Sequence, residues 1–111
     1  MEHYRVDHLD EQRRDGEEPW LEFQRSESMS TGLYVLAAGE RDEQVPHHED
    51  EIYVVVSGAA QFVTPDRSVQ VEPGDVIFVP AHEEHRFTDI TEELRLVVVF
   101  APPETLAAAA D

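Results

Sequence analysis

The chain of 111 residues contains no cysteine and no lysine. Without cysteine there is no disulfide framework, no thiolate zinc site and no cysteine nucleophile, so any metal must take nitrogen or oxygen ligands. Iron, manganese, nickel, copper and zinc accept such a set from histidine and carboxylate. Long hydrophobic runs are missing too: nothing approaches the roughly 18 apolar residues of a membrane span. The N-terminal MEHYRVDHLDEQRRDGEE lacks the basic start and apolar centre of a signal peptide. These absences lead us to expect a soluble, cytoplasmic protein.

Positive charge is scarce. Eight arginines stand against 25 aspartates and glutamates, for a net charge of -17. Such a surface repels phosphate backbones and anionic lipid, and no local basic patch offsets it, so neither nucleic acid nor membrane is an expected partner. Excess carboxylate without lysine resembles the composition of proteins from extreme halophiles, where salt near 1 M screens self-repulsion to about 3 Å. A halophilic source is therefore expected.

What is present is strand texture. Residues 1–18 are polar, with Val6 and Leu9 the only aliphatic side chains after the initiator, and suit a short helix or an N-terminal arm. From Trp20 the chain runs in short stretches rich in Val, Ile, Phe, Tyr and Leu, which is the strand signature. Strands are predicted near 20–25, 32–38, 51–57, 59–63, 68–72, 75–79, 85–90 and 93–100. Gly39, Ser57-Gly58, Thr64-Pro65-Asp66, Pro73-Gly74-Asp75 and Pro80 punctuate them as turn formers. Strands so closely spaced, with no helix-length pattern between them, imply an all-β antiparallel sandwich or barrel. We expect an arm over 1–18, one barrel domain over 19–103 and a tail over 104–111 without chemistry. YVVV, VIFV and LVVVF are apolar on both faces, so they must bury a second face against another layer or another subunit. A homodimer is the favoured expectation.

The stretch PHHEDE, residues 46–51, carries the first chemical signal. His47 and Glu51 on one straight strand would stand about 13 Å apart. That is too far for a shared ion with ligand atoms about 2.0–2.2 Å away. A hairpin through His48-Glu49-Asp50 would instead set His47 opposite Glu51, both pointing inward, with His48 in the turn facing solvent. His85 is the best third candidate, because it shares a strand face with Phe87 while Arg86 takes the other. Each has a plainer reading: His47 as a surface turn residue, Glu51 as one acid among many, His85 as a hydrogen-bonded core histidine.

HHEDEIYVVVSG followed by PGDVIFVPAHEEH resembles the paired motifs of the cupin superfamily, whose members are double-stranded β-helix, or jelly-roll, barrels. His47, Glu51 and Gly58 match the second half of the first motif, H-x-H-x(3,4)-E-x(6)-G. Pro73-Gly74, Pro80 and His85 match all of the second, P-G-x(5)-P-x(4)-H. The family's first histidine falls on Val45, so a site of His47, Glu51 and His85 would be a two-histidine, one-carboxylate set, as in non-haem Fe(II) oxygenases. Gln44 could add an oxygen ligand if a bulge corrects its parity, and His48 could do so with a differently shaped turn. Tyr53 and Val55 share parity with Glu51, and Phe87 with His85, so these residues, with Val45, are expected to line an apolar pocket. His82 suits the pocket rim or a proton shuttle.

The resemblance implies a divalent transition metal (Fe, Mn, Ni or Zn) and a small-molecule ligand. One reading is a mononuclear-metal oxygenase or isomerase acting on a small organic substrate. The alternative is a non-catalytic cupin that binds a small ligand or metal as sensor or carrier, and an empty structural barrel is a third.

Overall fold

A computed structural model describes residues 1–105 of the chain. Its elements are α1 (Val6–Asp15), β1 (Trp20–Arg25), β2 (Ser30–Leu36), β3 (Asp50–Val63), β4 (Ser68–Val71), β5 (Val76–Val79) and β6 (Arg86–Ala101). All pairings are antiparallel, in the order β1-β2-β6-β3-β4, with β5 also on β3. This is the all-β barrel architecture expected from the strand pattern.

β3 and β6 form the spine. They pair from Asp50↔Ala101 to Val63↔Arg86, with register shifts between Val55 and Ala59 and again before Gln61. The breaks expected at Ser57-Gly58 and between 90 and 93 are therefore bends within continuous strands, and eight expected segments become six strands. The ribbon can bend at Gly58 because its φ is +100° and it lies against the backbone of Glu93 and Leu94. β5 lines one half of β3 and β4 the other, while β2 and β1 extend the sheet beyond β6.

Alternation along these strands sends one set of side chains inward. Tyr53, Val55, Phe62, Leu94, Leu96 and Val98 form the main core with Phe87 and Phe100. Each such side chain contributes about 1.5–3 kcal/mol relative to exposure.

The opposite face of β2 has its own cover. Leu33 and Val35 pack against Leu9 of α1, with Val6, Leu21 and Phe23 around them. The arm expected over 1–18 is thus a docked helix, and β2 buries its second face within the chain. The helix is supported by charge: Asp7 sits in the first turn, Arg13 and Arg14 in the last, which suits the helix dipole. Asp10 holds Arg13 at 3.0 Å and Arg14 at 2.8 Å. Val76 and Phe78 of β5 find no such cover among the described residues and remain exposed.

The predicted 46–51 hairpin is absent. Residues 37–49 run without strand structure, and β3 begins at Asp50. The polar triplet 48–50 does not make a solvated turn, because Glu49 is buried and Asp50 Oδ1 accepts a hydrogen bond from the Ala81 N–H at 2.9 Å. The segment serves as a strap across the barrel end.

Candidate metal centre

Three separate segments bring His47, Glu51 and His85 together. Glu51 is an inward position of β3, flanked by Phe100 of β6 and Val79 of β5, and is only 2% exposed. His85 precedes β6, at the end of the loop opened by Pro80, and is 4% exposed. His47 arrives from the 37–49 loop, whose course is held by a 2.7 Å hydrogen bond from the His82 N–H to the His47 carbonyl. Its ring meets the Phe100 ring edge-on at 4.9 Å. Ligand atoms of the three residues all lie within 4.8 Å of one another.

The tautomer of His85 follows from its surroundings. Nδ1–H donates to the Glu83 carbonyl at 2.8 Å, which leaves Nε2 with a lone pair facing the interior. That nitrogen stands 3.1 Å from Glu51 Oε1 and 3.1 Å from the Tyr53 hydroxyl. In the neutral ring it has no proton to give Glu51. Consistently, neither Glu51 oxygen has an aligned hydrogen-bond partner. A buried carboxylate left so costs about 1–3 kcal/mol or more, and a bound cation would remove that cost. The donors present therefore fit a divalent metal.

Electrostatics separate the two histidines. For His85, burial pushes the pKa down, but the Glu51 contact and the Glu83 carbonyl outweigh it and the net shift is upward. For His47, burial dominates and lowers the pKa, although the Glu51 charge opposes it. Tyr53 is driven well above its ordinary range, first by burial and then by the Glu51 charge.

Gln44 is drawn into the site. Its amide nitrogen donates to Asp42 Oδ2 at 2.7 Å, which turns Oε1 toward the interior. Oε1 accepts from the Tyr53 hydroxyl at 2.9 Å and lies 3.2 Å from His47 Nε2. No strand bulge is involved, since 44 lies in a loop. Asp42 is the buried hub behind it, accepting from the Tyr34 hydroxyl and the Phe87 N–H, both at 2.9 Å.

A cavity of about 150 Å³ opens beside the cluster, lined by Trp20, Tyr34, Gln44, His47, Glu51 and Tyr53, among others. Val45 is 62% exposed and does not line it. Loop geometry, with Gln44 inward, turns its neighbour out. Val55 and Phe87, also expected as lining, belong to the packed core and not to the cavity wall. His48 is exposed and its ring lies 5.3 Å from that of His82, so both stand outside the cluster. A roomier cleft of about 330 Å³ lies near Phe62, Val69, Val76 and Phe78, but it gathers no comparable set of ligating side chains.

Two acids of the site carried no signal in the sequence, Asp42 and Glu104. Glu104 follows the last strand, in the segment expected to have no chemistry, and its side chain lines the cavity. His47 Nδ1 is 3.7 Å from its Oε2. Burial, then the charges of Glu49 and Glu51, raise its pKa to about 7. Nothing local distinguishes these two among 25 acidic residues. The remaining tail, 106–111, lies outside the described residues.

Among known proteins, the family described as Cupin domain matches residues 32–100. An uncharacterized protein of Streptomyces coelicolor is 45% identical over 105 residues, covering 95% of this chain and all of that one. The crystal structure of a cupin superfamily protein from Desulfitobacterium hafniense superposes with a TM-score of 0.67 at 22% identity, over 74% of each chain. KdgF from a Halomonas species gives 0.68 at 19% identity, over 75% of this chain and 76% of that one. At such identities the two structures speak for the fold alone, while the family match spans the segments that carry His47, Glu51 and His85. The chain belongs to the cupin family.

Proposed function

We propose that the protein binds one divalent transition metal (iron, manganese, nickel or zinc) through His47, Glu51 and His85, and uses it on a small organic substrate in an oxygenase or isomerase type of reaction. The observation that carries this reading is the Glu51 carboxylate, buried with neither oxygen satisfied and two imidazoles beside it. When bound, the metal would act as a Lewis acid and offer open positions to substrate. The chain's own residues do the rest. Glu83 holds the His85 tautomer, Asp42 aims the Gln44 oxygen, and Tyr53 places a hydroxyl between Gln44 and His85. Trp20 and Phe100 wall the cavity.

Metal analysis of protein purified without chelator tests this. Near-stoichiometric metal is expected, lost in Glu51→Gln and in His85→Ala and kept in His48→Ala. Metal-free protein, or metal retained by Glu51→Gln, would reject the ligand set.

A second reading has its own support. Val45, where the family pattern has a histidine, is exposed, so the cluster has two imidazoles. A non-catalytic barrel that binds a small ligand or metal as sensor or carrier fits that leaner site. Turnover of candidate substrates by metal-loaded protein separates the two.

We further propose that two copies pair through the uncovered face of β5, where Phe78 is 60% exposed beside Val76, and that the acidic surface suits a cytoplasm of high salt. Among the described residues no helix is long and apolar enough to cross a membrane.

A further inference from the structure

We propose that the cavity beside the metal centre recognises a small organic cation, a molecule with an ammonium head, through the Glu104 carboxylate and the Trp20 indole. This deepens the reading of the same site and rests on it for the ligand's metal-facing end.

Glu104 is placed there by its backbone. Its N–H donates to the buried Ser30 Oγ at 2.9 Å, and its carbonyl accepts from Arg25 at 2.6 Å. Next to it, Thr105 Oγ1 donates to Glu49 Oε2 at 3.0 Å. The chain after β6 is thereby tied across the barrel end, and the Glu104 side chain enters the cavity. The residue is 9% exposed. Among the described residues no hydrogen bond reaches its carboxylate, whose one ion-pair contact is the 3.7 Å approach to His47 Nδ1.

No arginine lines this cavity, and Arg25 is engaged by Glu22 and by the Glu104 carbonyl. With a metal held on Glu51, an anion entering would still meet the Glu104 carboxylate, beside which no arginine is free to supply a countercharge. A neutral ligand would leave the ionised form of Glu104 without a partner, whereas a cation would supply one.

The aromatic wall supplies the other half of the recognition. Trp20 lies with one face against Gly32, where an added Cβ would come 2.2, 2.4 and 2.7 Å from three ring carbons. Edge contacts to Tyr34 at 6.3 Å and Phe100 at 6.0 Å hold the indole in place. A cation within about 6 Å of an indole centroid is attracted by the ring quadrupole. The volume of about 150 Å³ equals about five waters at ~30 Å³ each, which is the scale of a tetramethylammonium ion.

Trp20 is the chain's only tryptophan, so its fluorescence reports on the cavity directly. Tetramethylammonium chloride is titrated at constant ionic strength, against tert-butanol as a neutral isostere and acetate as an anion. Protein of measured metal content and chelator-stripped protein are compared. A saturable change with tetramethylammonium alone is expected, at least tenfold weaker in affinity for Glu104→Gln. That variant keeps the backbone clamps, and circular dichroism checks its fold. By calorimetry, Trp20→Leu should lose at least fivefold. No saturable response, an equal response to tert-butanol, or unchanged affinity in folded Glu104→Gln would overturn the proposal. Cation binding by protein that never takes up metal would sink the metal reading and leave this one standing. Metal without cation binding would do the reverse.

Discussion

Glu51 Oε1 and His85 Nε2 face each other at 3.1 Å inside the barrel, both almost wholly out of water, with the His85 proton held on the far nitrogen by Glu83. Two lone-pair donors so placed are a site waiting for a positive charge. A metal that binds the folded chain at 100 times its Kd adds about 2.7 kcal/mol of stability, on the order of 10 °C in Tm for a domain near this size. Differential scanning fluorimetry should show that rise with the preferred metal in the wild type. It should vanish in Glu51→Gln and His85→Ala.

Gly58 and Gly74 both have positive φ, +100° and +95°, but their surroundings differ. A Cβ on Gly58 would sit 2.3 Å from the Glu93 carbonyl oxygen and 2.7 Å from Leu94 Cα, while one on Gly74 meets nothing within 4 Å. Gly74→Ala should cost about 1 kcal/mol, from backbone strain alone. Gly58→Ala adds a clash with backbone that cannot rotate away and should cost on the order of 3 kcal/mol or more. Urea denaturation of both variants checks the order, and equal losses would contradict it.

Glu104 makes stability depend on pH in a definite direction. Its folded pKa of about 7 lies above the ordinary 4.5, so between those values the native chain holds a proton that the unfolded chain releases. The associated stability is present in full below about pH 4.5 and is lost as pH rises through about 7. Metal-free wild type should therefore lose more Tm between pH 5 and 8 than Glu104→Gln. Parallel pH profiles would show that Glu104 ionises as an ordinary surface acid.

The charge of -17 repels itself in the compact state, and salt screens it over a Debye length that shrinks from about 10 Å at 0.1 M to about 3 Å at 1 M. Thermal melts from about 0.1 to 3 M KCl should show Tm rising with salt, steepest at the low end. A flat or falling series would remove the case for a high-salt setting.

Exposure of Phe78 and Val76 on β5 leads to a prediction about assembly. Sedimentation velocity should find a dimer for the wild type and a monomer for Phe78→Glu, with the fold unchanged by circular dichroism. A monomeric wild type would leave that apolar face without the partner assigned to it.

The barrel was legible where the physics is local. Runs such as EIYVVV and LRLVVVF specify extended chain regardless of what lies across the sheet, and Pro73-Gly74 marks the break between β4 and β5. Ser57-Gly58 read as a break because glycine signals a turn; whether a positive-φ residue ends a strand or bends it depends on the strand packed against it. The docked helix was similarly half visible, since Val6 and Leu9 marked an apolar stripe but not the Leu33 and Val35 face that receives it.

For the site, residue types and the resemblance to two cupin motifs pointed to His47, Glu51 and His85, whose ligand atoms the fold brings within 4.8 Å of one another. The route of His47 was not legible: a hairpin and a loop satisfy the same spacing, and buried Glu49 and the bond between Asp50 and Ala81 select the loop. Nor was the exchange of Val45 for Gln44, which Asp42 enforces through one amide hydrogen bond. By itself the sequence determined the strands, the donor types and the excess of negative charge. Only the tertiary structure decided which of the described acids leave water, namely Asp10, Asp42, Glu49, Glu51 and Glu104. The reason is that a carboxylate's chemistry is set by desolvation and by neighbours distant in the chain, and neither is written at its own position.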